Sequence, residues 1–153
     1  MESRRRVKFC RAPDCADPKL LCADMVSDHK AAQRLLSMYP GRLRVVRYED
    51  FVLKLRKATQ DLLKFLQLGP TPNVDEFISK HSTVTNGDAY STFRISQKVP
   101  FKWKRSMDFT YVNQIQEACK EAMTLWGYQF VHNASHMTSK YFYPLLPYAV
   151  TNK

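Results

Sequence analysis

Glycine is scarce in this chain, and long apolar runs are missing. Only four of the 153 residues are glycine, which argues against a low-complexity or linker-rich disordered chain. No stretch approaches the ~18 consecutive apolar residues that span a bilayer, so we expect no transmembrane segment in this chain. No apolar segment follows the basic N-terminus either, so no secretory signal is expected.

Cysteine is present, but without the spacing of a metal site. Cys10, Cys15 and Cys22 cluster, and Cys119 stands alone. No Cys-x-x-Cys pair occurs, which disfavours a zinc centre even with His29 nearby, so no metal is expected. Four cysteines allow three complete disulfide pairings, and the sequence selects none of them.

Two further features bear on the cellular compartment. Cys119 falls on the apolar stripe of a predicted helix, where either a core thiol or a disulfide partner fits. Asn133-Ala134-Ser135 is an N-glycosylation sequon, which has meaning only in a lumenal protein and also arises by chance. Together they fit an oxidising compartment weakly.

The net charge is +10, from 24 Lys and Arg against 14 Asp and Glu. Such an excess indicates an anionic partner, whether nucleic acid, anionic glycan, phosphorylated cofactor or acidic membrane. No helix-turn-helix, RNP-like or zinc-finger pattern occurs, so nucleic acid is not the expected partner. Cations are densest in an N-terminal tract that is either a solvated arm or a phosphate-binding segment. The tract comprises Arg4, Arg5, Arg6, Lys8 and Arg11.

Hydrophobic periodicity predicts a mostly helical chain. Asp17 is a helix N-cap and Pro18 a first helical residue. Apolar stripes predict helices over about residues 19–38, 51–68, 73–81 and 108–126. The aperiodic residues 82–106 are predicted to form a long loop, a type of segment that is usually functional or mobile.

One convincing strand is predicted, over residues 43–48. Its sequence, Leu-Arg-Val-Val-Arg-Tyr, is β-branched at the centre and lies between a turn and a helix. Helices around a strand predict part of an α/β layer fold. Because one strand cannot make a sheet, its neighbours are expected outside this chain. On that strand Arg47 and Glu49 share one face, which predicts a structural ion pair.

Three segments, taken together in order and spacing, resemble the Golgi carbohydrate sulfotransferases. Residues 45–51 (VVRYEDF), with the helix ending in residues 65–69 (FLQLG), are similar to the family's "RYEDL … FLGL" stretch. Residues 90–94 (YSTFR), followed by residues 102–104 (KWK), resemble its "STxR … KWR" loop, with Lys104 where arginine is usual.

The third segment reads Ile-Gln-x-x-Cys from Ile115 to Cys119, then Leu-Trp-Gly-Tyr at residues 125–128. It resembles the family's C-terminal "IQxxC … LGY". The resemblance covers roughly residues 3–130 and looks closest to the galactose, N-acetylgalactosamine and N-acetylglucosamine 6-O-sulfotransferases.

The resemblance implies a fold and an activity. The fold is a P-loop-like α/β sandwich, of which residues 1–130 are the C-terminal part and residues 131–153 a tail outside the resemblance. The activity is transfer of a sulfuryl group from 3′-phosphoadenosine 5′-phosphosulfate (PAPS) to a sugar hydroxyl, with the 6-O position of N-acetylglucosamine or galactose as acceptor. The implied partners are the glycan acceptor and PAPS, and the implied location is the Golgi lumen, where the family is membrane-anchored.

The resemblance also implies donor-binding residues. Ser3 would hold the 3′-phosphate, with Arg4 beside it, unless both are frayed terminal residues. Tyr48 would lie near the adenine, or else be a packed core tyrosine.

Ser91, Thr92 and Arg94 would clamp a phosphate or the adenine edge. The alternative is a capping or turn cluster. Trp103, between two lysines, is either a sugar-stacking platform or a buried anchor.

The chain contains no Gly-rich strand-to-helix loop of the kind that cradles a 5′-phosphosulfate. The family's loop is therefore expected outside these residues, and no catalytic residue is assigned within them. The alternative to an enzyme is a non-catalytic relative that binds anionic glycan or nucleotide through its basic surface.

We expect the 153-residue chain alone to show no measurable sulfotransferase activity, because it lacks a loop for the transferred group. An assay with labelled donor and N-acetylglucosamine or galactose acceptors checks this. Clear turnover would contradict the expectation.

Overall fold

The computed structural model describes residues 13–86, 91–148 and 150. Ser3 and Arg4, which the sequence resemblance implies for the donor's 3′-phosphate, lie outside the described residues. The candidate donor-binding residues that the structure describes are therefore those from Tyr48 onward.

The chain divides into two compact units. Unit 1 comprises residues 1–45 and 103–153, and unit 2 comprises residues 46–102. Within the described parts of both units, no helix has the length and apolarity needed to cross a bilayer.

The described residues are mostly helical, as predicted. In chain order the helices are α1 (Pro13–Ala16), α2 (Pro18–Met38), α3 (Tyr48–Leu53), α4 (Leu55–Phe65), α5 (Pro72–His81), a 3₁₀ helix (Ser96–Phe101), α6 (Trp103–Ser106), α7 (Phe109–Ala118), α8 (Lys120–Leu125) and α9 (Ala134–Thr138). The only β-type pairing among the described residues is an isolated antiparallel bridge between Tyr128 and Leu145. A parallel sheet is not part of the described structure.

The prediction of a strand over residues 43–48 is wrong. Residues 43–47 take no regular secondary structure, and Tyr48 already begins α3. The backbone of Arg47 is extended, with φ −78° and ψ 130°, so its local conformation suits a strand. A strand also needs a hydrogen-bonded neighbouring strand, and no β-bridge among the described residues involves this segment. The resemblance stated above therefore rests on sequence motifs and gains no support from a parallel sheet.

The predicted helix over residues 19–38 is confirmed as α2. The Asp17 side chain caps it by accepting a hydrogen bond of 2.8 Å from the backbone N–H of Lys19, and Pro18 occupies the first turn. The helix predicted from residue 73 is α5, which begins at Pro72.

The two other predicted helices are each interrupted. Residues 51–68 form α3 and α4, separated at Lys54, whose φ of −126° and ψ of 41° are not helical. Residues 108–126 form α7 and α8, separated at Cys119, with φ −109° and ψ 12°. The predicted loop over residues 82–106 contains the 3₁₀ helix and α6.

A disulfide ties the helices of unit 1 together. Cys22 on α2 is bonded to Cys119, with a Cα–Cα distance of 5.2 Å and a sequence separation of 97. Helix α2 packs against α7 and α8, and apolar side chains surround the bond, among them Met25 and Ile115. Cys119 is thus a disulfide partner rather than a core thiol.

A second apolar cluster in unit 1 joins α7 to the C-terminal segment. Its buried members are Val112, Val131, Met137 and Phe142. Trp103 packs against this cluster and is only partly exposed, which favours a buried anchor over a sugar-stacking platform. Residues beyond 130 therefore contribute to the hydrophobic core of unit 1.

Gln116 secures this cluster through its side-chain amide. The side chain is buried, its Oε1 accepts from the backbone N–H of Val131 at 2.6 Å, and its Nε2 donates to the Val131 carbonyl at 3.1 Å. The amide thereby satisfies both backbone groups of Val131, which would be costly to bury unpaired.

Lys104 anchors the C-terminal segment. Its ammonium donates to the carbonyl oxygens of Ser139 at 2.9 Å and Phe142 at 2.7 Å. It also lies 5.2 Å from the centre of the Phe142 ring, within range of a cation–π interaction. Burial, followed by the nearby charge of Arg105, lowers the pKa of Lys104.

Replacing Cys22 and Cys119 with alanine is expected to lower the free energy of unfolding by about 2–5 kcal/mol, because the bond closes a long loop in the unfolded chain. Urea unfolding followed by circular dichroism measures the change. Each single variant removes the same bond, so the singles and the double variant should lose similar amounts. If the double variant lost as much unfolding free energy as the two single variants added together, the loss could not be attributed to the shared disulfide.

Candidate functional site

The candidate donor-binding residues that the structure describes all belong to unit 2. Helix α3 contacts α4 and the 3₁₀ helix, and α4 contacts α5. Val52, Ile78 and Pro100 are buried within this unit. Tyr48 and the segment 91–94 are therefore carried on one compact body.

An ion pair between a buried guanidinium and a half-exposed carboxylate lies at the start of α3. The Arg47 side chain is only 3% exposed, and its Nε and Nη2 donate to the two carboxylate oxygens of Asp50 at 2.8 and 2.9 Å. A buried guanidinium requires a partner of this bidentate kind. The predicted ion pair between Arg47 and Glu49 was based on a strand, in which residues two apart share a face. In a helix, residues three apart share a face instead, so Asp50 receives the guanidinium.

Tyr48, the first residue of α3, is 53% exposed and is therefore not a packed core tyrosine. Partial burial raises its pKa, the charge of Glu49 raises it further, and the charge of Arg94 lowers it. The Arg94 guanidinium thus lies close enough to Tyr48 to influence the phenol. Two residues from separate sequence motifs therefore lie within electrostatic range of each other in unit 2.

His81, at the end of α5, holds the segment that contains Thr92 and Arg94. Its Nδ1 is 2.7 Å from the Thr92 hydroxyl, and its carbonyl accepts the Arg94 backbone N–H at 2.9 Å. Its ring stacks between those of Phe77 and Phe93, with 4.0 Å between centroids on each side. His81 therefore contacts this segment through both its side chain and its backbone.

The sequence interpretation did not identify His81 as part of the site. The available signal was the spacing of Phe77 and His81, which at i and i+4 share one helical face directly before the long loop. A stacked aromatic pair at that position indicates an anchor for the loop that follows.

Ser91 is engaged within its own loop. Its hydroxyl donates to the carbonyl of Asn86 and accepts the backbone N–H of Phe93 at 3.1 Å. These are the bonds of a turn-stabilising hydroxyl. A ligand-binding role for Ser91 stays a prediction.

The assembled group offers a cation from Arg94, a hydroxyl from Thr92 and exposed aromatic faces from Tyr48 and Phe77. Phe77 is 52% exposed. A guanidinium and a hydroxyl suit a phosphate, and an aromatic face suits a planar base. Across the parts of the chain that the structure describes, no three His, Cys, Asp or Glu side chains cluster as metal ligands would.

Comparison with known proteins identifies relatives of this chain. No family model matches it, and neither does any solved structure. Carbohydrate sulfotransferase 3 of Tetronarce californica is 31% identical over 135 residues, which cover 85% of this chain and 31% of the relative. By sequence, this chain belongs to the carbohydrate sulfotransferase family.

Other carbohydrate sulfotransferases agree with this assignment. Carbohydrate sulfotransferase 3 of Mus musculus is 32% identical over 102 residues, which cover 65% of this chain and 22% of the relative. Carbohydrate sulfotransferase 4 of Mus musculus is 32% identical over 116 residues, covering 72% and 29%. The chain thus spans less than a third of each of these carbohydrate sulfotransferases.

Within this carbohydrate sulfotransferase relative, Tyr48 is expected to ionise above the ordinary tyrosine pKa of 10.0. Because the fold favours the neutral phenol, the stability that Tyr48 contributes is present below pH 10 and is lost as the pH rises through the raised pKa. Absorbance titration of the phenolate, taken as the difference from Tyr48→Phe, measures this pKa.

Two variants test the causes of that shift. Arg94→Gln removes the charge that lowers the Tyr48 pKa and should raise it further, whereas Glu49→Gln should lower it. A lower Tyr48 pKa in Arg94→Gln would show that the two side chains are not neighbours.

Proposed function

We propose that this chain is part of an enzyme that transfers a sulfuryl group from PAPS to a sugar hydroxyl. The acceptor position is the 6-O of N-acetylglucosamine or galactose. The observation that supports this most is the joining of Tyr48, Thr92 and Arg94 in one unit of a chain whose relatives are carbohydrate sulfotransferases.

In this proposal the described residues bind the nucleotide part of the donor. Arg94 faces a phosphate, which a guanidinium binds with two parallel hydrogen bonds. Tyr48, exposed at the start of α3, stacks on the adenine. Ser3 and Arg4, which lie outside the described residues, stay the sequence prediction for the 3′-phosphate, and Ser91 stabilises the turn next to Thr92.

The Thr92 hydroxyl needs a particular state of His81 to assist an anion. With the proton on Nδ1, His81 donates to Thr92 Oγ1, and the hydroxyl hydrogen of Thr92 stays free for a phosphate oxygen. With the proton on Nε2, Thr92 donates to His81 instead and presents only lone pairs. The proposal therefore assigns the Nδ1–H form to the binding-competent site.

Sulfuryl transfer resembles phosphoryl transfer in that positioning and charge stabilisation supply most of the catalysis. The 5′-phosphosulfate itself requires a Gly-rich loop, and the four glycines of this chain provide none. Our proposal therefore gives this chain the nucleotide part of the donor and assigns none of its residues to the 5′-phosphosulfate. The Cys22–Cys119 disulfide supports a lumenal, Golgi location for the whole protein.

Binding of adenosine 3′,5′-bisphosphate to the full chain, measured by titration calorimetry, tests the donor site. Arg94→Gln is expected to weaken binding about 10- to 150-fold, which corresponds to the ~1.5–3 kcal/mol of a charge-assisted hydrogen bond. Tyr48→Phe should bind normally, because the aromatic face remains, whereas Tyr48→Leu should bind more weakly.

Arg56→Gln is the matched control. Arg56 also lies in unit 2, its side chain is 57% exposed, and it pairs with Asp75 and donates to the Ser79 hydroxyl. Its loss removes the same charge, and the bonds it breaks are to Asp75 and Ser79, not to Tyr48 or Thr92. If Arg94→Gln and Arg56→Gln lost equal binding affinity, the nucleotide would be bound by non-specific electrostatic attraction and not at the candidate site. Binding of anionic glycan but not of the nucleotide would favour the non-catalytic alternative.

A further inference from the structure

Residues 133–135 form an exposed sequon that the proposed sulfotransferase function does not use. Asn133, Ala134 and Ser135 are all exposed, and the middle residue is not proline, which the sequon forbids. The segment begins α9 on the surface of unit 1. All three side chains of the sequon are therefore accessible to a modifying enzyme.

The geometry of Asn133 leaves its reactive nitrogen available. Asn133 is the N-cap of α9, with extended backbone (φ −163°, ψ 173°), and its Oδ1 accepts the backbone N–H of His136 at 2.8 Å. The cap uses only the amide oxygen, while Nδ2 has no hydrogen-bond partner in the described chain. A substituent on Nδ2 leaves Oδ1 an acceptor, so one side chain can cap the helix and carry a sugar.

The disulfide of the same unit indicates a suitable compartment. The Cys22–Cys119 bond is typical of proteins that fold in the oxidising lumen of the secretory pathway, where asparagine is glycosylated. The inference needs only passage through that lumen and does not depend on transferase activity.

We propose that Asn133 is an N-glycosylation site. The co-reactant is a lipid-linked oligosaccharide diphosphate, supplied with the transferring enzyme of the lumen. Asn133 Nδ2 forms a bond to the anomeric carbon as the bond from that carbon to the diphosphate oxygen breaks. The lipid diphosphate leaves with the bonding electron pair, Nδ2 loses one proton to a base of the transferring enzyme, and nothing is oxidised or reduced.

The test is expression of the full chain behind a cleavable secretory signal in animal cells. The chain should migrate more slowly on electrophoresis, and peptide-N-glycosidase should abolish the shift. Because that enzyme leaves aspartate in place of the glycosylated asparagine, mass spectrometry of the released peptide should find Asp at position 133.

Three variants remove the sequon without removing the cap. Ser135→Ala leaves Asn133 intact, and Asn133→Asp keeps an oxygen that caps well. Ala134→Pro blocks the sequon at the first helical residue, where proline is tolerated. All three should lack the shift and unfold at the temperature of the enzymatically deglycosylated wild type, whereas Ser135→Thr should keep the shift.

Two results would overturn the proposal. One is a wild-type chain that has formed the Cys22–Cys119 bond, which shows that it reached the lumen, and yet carries no glycan. The other is a glycosidase-sensitive shift that persists in Ala134→Pro. Neither result bears on the proposed donor site, which is tested by nucleotide binding to the full chain.

Discussion

The bidentate pair between Arg47 and Asp50 is the interaction on which the candidate site most depends. A guanidinium that is almost completely removed from solvent is costly unless a carboxylate neutralises it. The carboxylate here lies three residues further along the chain, so pairing requires the intervening residues to be helical. The ion pair therefore sets where α3 begins. It leaves Tyr48 in the first turn, with its ring exposed on the same unit as Arg94.

The helices that the sequence predicted correctly are those whose determinants are local. Asp17 and Pro18 mark the start of α2 within a few residues of one another, and the apolar stripe of α2 follows directly. The prediction of a strand over residues 43–48 was wrong because β-propensity is a local property, whereas a strand also needs a hydrogen-bonded partner. Whether such a partner is present cannot be read from the residues of the segment itself. The helix interruptions at Lys54 and Cys119 were not predicted either, because neither position is a glycine or a proline.

The candidate site was predictable in part for the same reason. Family motifs drew attention to Tyr48 and to residues 91–94, but not to the residue that holds that segment in place. His81 acts through contacts to residues more than one helical turn away, and an aperiodic stretch gives no indication of its ordering. The partner of Cys119 was equally beyond reach, since four cysteines permit three pairings. Only coordinates select the pair with Cys22.

The attachment of the C-terminal segment to Lys104 has a consequence for how this protein is handled. Two carbonyls bind one ammonium, and the same stretch supplies Met137 and Phe142 to the apolar cluster around Val112. A polypeptide stopped near residue 130 would leave that cluster open to water and the lysine without its acceptors. A shortened chain that keeps only the recognisable motifs would therefore expose apolar surface and tend to aggregate.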